Sequence, residues 1–466
     1  MTSSTAPERL APATLNAEQL RSQLDQLAAR QGIHQWDLGA SCSTDTSVQV
    51  DRGEAKQMKG AQRSAITVRV WNADGLVGIT STSDLSPEGL EKALSGAKAA
   101  SAFGNPDDTP AFSPLASAPL AELDQPLRPS RPILSLLETL RDAERQLLDR
   151  HPAIGTVPYN GLAQRRSERL YLNSSGACRE QRLTTASVYL YAKAEETGRK
   201  PRSAGAVRLA YGADDLDLAG CIHEAAERTI SHLNYAPIDT GRYTCVFSPE
   251  AFLDLIGAFS SLFNARAVLD GVSLSHRDSL GQALAVPFLS ITDNGLHPGN
   301  IGASAFDGEG TPTRPLALLE GGVLANFLHS EATARAFGVS PTGHAGLGAK
   351  VSVSPDWFEV GPTPGSGGGQ QGLDRLAHGD AKGLVVIDSL SALHAGVKAS
   401  QGAFSLPFDG WLIRGGESRS IEAATVAGDI RQVLQAIVGF ENAAKITPDG
   451  LCPSVWVEGL SITGEA

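Results

Sequence analysis

From Pro237 onward the chain divides its apolar residues into short runs, such as GLVVIDSL, GWLIRGG and SVWVEGLSI, separated by turns and rich in glycine. Runs of this length bounded by turn residues suit strands and are too short for long buried helices. A polypeptide written this way buries its apolar side chains in sheets, so residues 237–466 are expected to form a strand-rich, barrel-like domain. The turn PIDTGRY ahead of the strand YTCVFSP places the boundary. GPTPGSGGGQQG, Gly361 to Gly372, lacks the strand-to-helix setting of a phosphate loop and reads as a flexible loop.

The first half follows another rule. Residues 1–15 are rich in Ser, Thr, Ala and Pro and are expected to be a disordered extension. Asn16 then caps a helix carrying Leu20, Leu24 and Leu27 on one face. Alternating runs with a turn at Asp74-Gly75 follow, then a helix with Ser86 as cap and Pro87 in its first position. Residues 104–132 are rich in Pro, Ala and Asp and form a connector before the helix ILSLLETLRDAERQLLDRH. Further strands lead to the helix in DLDLAGCIHEAAERTISHLNYA. The prediction for residues 16–236 is antiparallel sheets flanked by helices, which makes the chain a two-domain α+β protein. Ser-Pro-Glu opens a helix at Ser86 and again at Ser248.

At 466 residues the chain is long enough for two or three domains. A net charge of −12 with no block of Lys or Arg offers nothing to a phosphate backbone, so no direct nucleic-acid partner is expected. No apolar run is long enough for a membrane span, and the N-terminus lacks a signal-peptide pattern; a cytoplasmic location with no membrane partner is the expectation. The five cysteines are scattered, never form C-x-x-C, and read as buried reduced thiols.

Two motifs invite chemistry. AFDGEGTPTR, Ala305 to Arg314, sets Asp307 and Glu309 in a glycine-rich loop, followed by the hairpin PLALLEGGVLANFL. Carboxylates at this spacing serve metals, acid–base catalysis, or the backbone N–H groups of a turn. In the last reading Gly308 and Gly310 allow positive φ, Pro312 fixes the exit, and Asp307, Gly308, Glu309, Gly310 and Arg314 form a structural or interface loop. HEAAE, His223 to Glu227, resembles the start of a zinc-protease helix, but its i+4 position is Glu227. His232 lies nine residues on, about 180° round the helix, so the two imidazoles cannot share an ion. His276, His297, His329, His344, His378 and His394 show no pair at ligand spacing. No nucleophile elbow or P-loop is present.

Several stretches together resemble the TldD/PmbA (TldD/TldE) family: SVQVDRGEAKQMKGAQRSAITVRVW, YTCVFSPEAFLDLIGAF, FLSITDNGLHPGNIGASAFDGEGTPTRPLALLEGGVLANFL, PTGHA and IEAATVAGDI. In that family the TldD-type subunit carries His-Glu-x-x-x-His on the helix after the first strand of the second domain, and a later cysteine completes a zinc site. Here that helix, Ser248 to Arg266, has no histidine and only Glu250 at its start, while Cys452 lies near the C-terminal region where the cysteine would fall, and one thiol does not make a site. The resemblance therefore implies a TldE/PmbA-type subunit with no catalytic residue, metal or cofactor of its own. It would partner a TldD-type zinc peptidase that degrades or processes unfolded, extended peptides. A non-proteolytic regulatory protein of the gyrase-modulator type, and a stand-alone peptidase using Asp307 and Glu309, are the alternatives.

Overall fold

The computed structural model describes residues 14–105, 109–348, 350–366 and 382–464. The expected extension up to residue 13, the part of the glycine-rich loop from 367 to 372, and His378 lie outside them.

Strands β1 (Gln35–Asp51), β2 (Glu54–Trp71), β3 (Val77–Thr82), β4 (Ile154–Asn173), β5 (Cys178–Ala194) and β6 (Arg202–Ala210) make one antiparallel sheet in the order β3-β2-β1-β4-β5-β6. β1 runs for 17 residues and β4 for 20, against a common length of about six, so one face has room for two cores. At one end α1 (Ala17–Gln31) and α2 (Pro87–Ser101) cover Trp36, Leu38, Val68 and Leu172. At the other, α3 (Ile133–Leu148) and α4 (Leu218–Ser231) cover Val48, Leu162, Val188 and Leu190. The period of two in a strand puts Trp36, Leu38 and Val48 on that face and leaves Asp37 on the opposite one. The caps form as the sequence indicates: Asn16 Oδ1 accepts from the Gln19 N–H at 2.9 Å, and Ser86 Oγ from the Gly89 N–H at 3.1 Å.

In the second domain, strands Gly241–Phe247, Leu384–Leu390, Ala403–Arg414, Ala424–Asp429 and Gly450–Gly464 pair in succession, and the last returns to the first, closing a barrel. Helix α5 (Pro249–Ala258) packs on the barrel strands Gly450–Gly464 and Leu384–Leu390 and contributes Phe252, Leu255 and Ile256 to the core. The single helix expected from Ser248 to Arg266 is divided. It gives way to a 3-10 turn at Ser260–Phe263, and α6 (Ala265–Leu269) restarts with Asn264 accepting from the N–H groups of Arg266 and Ala267. A capping side chain here outcompetes continuation through two serines of low helix propensity. Strand Phe358–Pro362 leaves the barrel parallel to Gly450–Gly464 and pairs with Leu289–Asp293, which pairs with Leu316–Glu320. The hairpin after it turns on Gly321 and Gly322, both at positive φ, 57° and 75°.

The connector has no regular structure in its described part, yet it straps the two domains together. Trp71 Nε1 donates to the Pro110 carbonyl at 2.8 Å, and the Ala111 N–H donates to Glu331 at 2.6 Å. Four cysteines are buried as expected; Cys178 is exposed, because its alternate position at the start of β5 faces outward.

Candidate functional site

The loop containing Asp307 and Glu309 lies against the polar face of the first sheet. Asp37 and Arg69 are register partners on β1 and β2, and both are fully buried. Arg69 Nε donates to Asp37 Oδ1 at 2.9 Å, while its Nη1 reaches Glu309 Oε1 at 2.8 Å from the other domain. Tyr171 on β4 donates its hydroxyl to Asp37 Oδ2 at 3.0 Å, and burial raises its pKa, which keeps that proton in place. The second oxygen of Glu309 accepts from the Glu331 N–H at 2.8 Å, at the first turn of α7 (Glu331–Phe337). Asp307 Oδ1 accepts from the N–H groups of Glu309 and Thr311, and its Oδ2 from the Ala345 N–H, at 2.8, 2.9 and 2.9 Å. Burial and the Glu309 charge push the Asp307 pKa up to about 7.

The two glycines serve different purposes. Gly310 has φ of 75° and lies against the Tyr171 ring, as a turn glycine does. Gly308 is not at positive φ; a Cβ there would fall 2.2 Å from the Leu347 backbone nitrogen, so close approach of two backbones is what requires glycine. Arg314 is exposed and forms no ion pair among the described residues, so the fold does not bring it to the cluster.

Next to this loop the fold gathers three residues whose sequence spacing shows no connection: Asp293 at a strand end, His344 and Asp356. One ligand atom from each lies within 4.8 Å of the others. His344 Nε2 is 3.4 Å from Asp293 Oδ1. Burial opposes a charge on His344, but Asp293, Asp356 and Asp307 outweigh it and raise its pKa. The one sequence signal was the pair of strings ITDNG and PTGHA, whose Asp and His meet only through strand pairing and loop packing.

A third constellation surrounds α5. Lys445 Nζ sits 2.7 Å from Glu250 and 3.4 Å from Glu224 of α4. Arg208 binds the other oxygen of Glu224 at 2.6 Å, and Arg228 of α4 binds Asp388 at 2.6 Å. The tempting His223 is exposed, while Glu224 serves this inter-domain network. Cys452 pairs across the sheet with Lys445 and is fully buried; burial, then Glu250, holds its thiol far above the ordinary range. Zinc takes imidazole, thiolate or carboxylate donors with lone pairs free. Glu250 at the start of α5 already holds the Lys445 ammonium and α5 carries no imidazole, so its donors do not make up a zinc set with Cys452.

Family models for the PmbA/TldA metallopeptidases match in three blocks: domain 1 over residues 36–101, the central domain over 128–233 and the C-terminal domain over 240–464. The chain belongs to the PmbA/TldA metallopeptidase family. The first sheet is thus assembled from two PmbA/TldA blocks, β1–β3 with α2 in the first and β4–β6 with α3 and α4 in the central one. The curated Metalloprotease PmbA of Escherichia coli O157:H7 is 24% identical over 437 residues, 92% of either chain. A Thermotoga maritima MSB8 protein, whose suggested role is modulation of a DNA gyrase, superposes with a TM-score of 0.82 at 26% identity, over 96% of this chain and all of that one. TldE from Thermococcus kodakarensis superposes with a TM-score of 0.82 at 18% identity over 95% of this chain, a likeness of fold. The PmbA/TldA blocks end at 464, so they include the strand bearing Cys452 but supply no imidazole for α5.

Proposed function

We propose that this chain is the TldE/PmbA-type subunit of a TldD/TldE heterodimeric metallopeptidase, holding extended peptides beside a zinc centre carried by the TldD-type partner. The observation that supports this most strongly is Lys445 seated on Glu250 at 2.7 Å, beside a buried thiol, where a hydrolytic metal would need free donors. Glu250, engaged by Lys445, is not free to deprotonate a metal-bound water. The family membership and the fold shared with a TldE support the same reading. The test is co-expression with a TldD-type protein. A stable 1:1 complex that cleaves peptides and loses activity to a chelator is expected, with the lone chain inert whatever metal is added. Turnover by the lone chain would overturn the proposal. Tight binding of gyrase by the lone chain, without a TldD-type subunit, would favour the regulatory reading that the Thermotoga relative brings to mind.

A further inference from the structure

We propose that Asp293, His344 and Asp356 form a binding site for one divalent transition-metal ion of the zinc or manganese class. The site lies beside the loop of Asp307 and takes none of its ligands from α5, and the inference is independent of the subunit assignment.

Tautomer and geometry carry it. Thr342 Oγ1 accepts from the His329 N–H at 2.7 Å and spends its single proton on the His329 carbonyl at 3.1 Å. With the Thr342 proton so placed, His344 Nδ1, 2.9 Å from the same oxygen, is the donor in that contact. In the neutral ring the lone pair is then on Nε2, the arrangement in which a second partner orients a metal-binding histidine. Nε2 is buried, has no hydrogen-bond partner among the described residues, and is directed into the carboxylates, 3.4 Å from Asp293 Oδ1. That separation matches the edge of a tetrahedron with bonds of about 2.1 Å, roughly 3.4 Å.

Each carboxylate is oriented for the task. Asp293 is fully buried; its Oδ2 accepts from the Asp356 N–H at 2.8 Å, and its Oδ1, which takes only a long 3.5 Å contact from the Trp357 N–H, faces the histidine. Asp356 is exposed at the rim, so an ion has a path in and a position open to water. Gly295 keeps the mouth clear: a Cβ there would stand 2.7 Å from Asp356 Oδ2. One imidazole with two carboxylates favours a transition ion over magnesium or calcium, which prefer all-oxygen shells.

The full-length lone chain, stripped with a chelator, would be titrated calorimetrically with Zn2+, Mn2+ and Mg2+. The expected result is one equivalent of Zn2+ or Mn2+ bound at least about 100-fold more tightly than Mg2+. His344→Gln and Asp356→Asn should each weaken it by about 10-fold or more. Glu250→Gln and Cys452→Ala should leave it unchanged. Asp356→Asn alters a rim residue, so it keeps the test decisive if the buried His344 variant does not fold. Absence of stoichiometric binding, or binding equal in wild type and Asp356→Asn, would overturn the site and leave an imidazolium–carboxylate pair. Binding lost only with Cys452 would overturn it and the zinc-free reading of α5 together.

Discussion

Asp307 holds three backbone N–H groups with two oxygens, so truncating it leaves three buried donors without an acceptor. Asp307→Ala is expected to cost about 1–3 kcal/mol in chemical denaturation, or to weaken pairing with the proposed TldD-type subunit. Complexes that still assemble should cleave peptides; loss of cleavage with folding and pairing intact would place the loop in the active site. His232 makes a second residue-scale prediction. It is stacked on Trp411 at 4.8 Å, and burial lowers its pKa to about 4. Unfolded histidine takes up its proton near pH 6.5, while the native ring stays neutral until about pH 4, so this residue costs stability as pH falls through that window. The raised carboxyl of Asp307 acts in the opposite sense, gaining stability as pH falls from about 7. The informative quantity is therefore a difference: between pH 7.5 and pH 5, His232→Phe should lose about 2 kcal/mol less than wild type in urea titrations.

At the scale of elements, β1 and β2 show how a strand's two faces part company. The face with Trp36, Leu38 and Val68 meets helices, and the other carries Asp37 and Arg69 into contact with a loop from the second domain. Removing only the cation leaves two buried carboxylates unpaired. Arg69→Leu is expected to destabilise by about 3–5 kcal/mol, and adding Asp37→Asn and Glu309→Gln should recover part of that loss in a mutant cycle. If Arg69→Leu were neutral, the buried pair would not be holding the loop. Helix α5 was legible at its start, where Ser248 caps the chain, but not at its end. The break depends on the Asn264 side chain finding the next turn's N–H groups.

At the scale of the whole molecule, Arg69–Glu309 and Lys445–Glu224 join the domains at two separate places. Domains clasped by buried or half-buried charges should unfold together. Tryptophan fluorescence, with Trp36 and Trp71 in the first domain and Trp357, Trp411 and Trp456 in the second, is expected to follow the same urea midpoint as circular dichroism. Arg69→Leu should separate the two curves; coincident curves in that variant would show that the remaining contacts suffice.

The sequence by itself determined the strand-rich second half, the capped helices, the hairpin at Gly321-Gly322 and the family, because each of these is written in neighbouring residues or in strings long enough to recognise. It also determined that α5 lacks imidazoles. Only the tertiary structure decided that the barrel closes, that Gly308 is needed for backbone approach rather than for φ, and that Arg314 stays apart from the cluster. Only there do Arg69 and Glu309 meet, 240 positions apart, as do Asp293, His344 and Asp356. Periodicity reports which face of an element is apolar; it carries no record of which distant loop will cover the polar one. The buried polar clusters of this protein lie largely on those faces, where partners are chosen by the packing of whole domains.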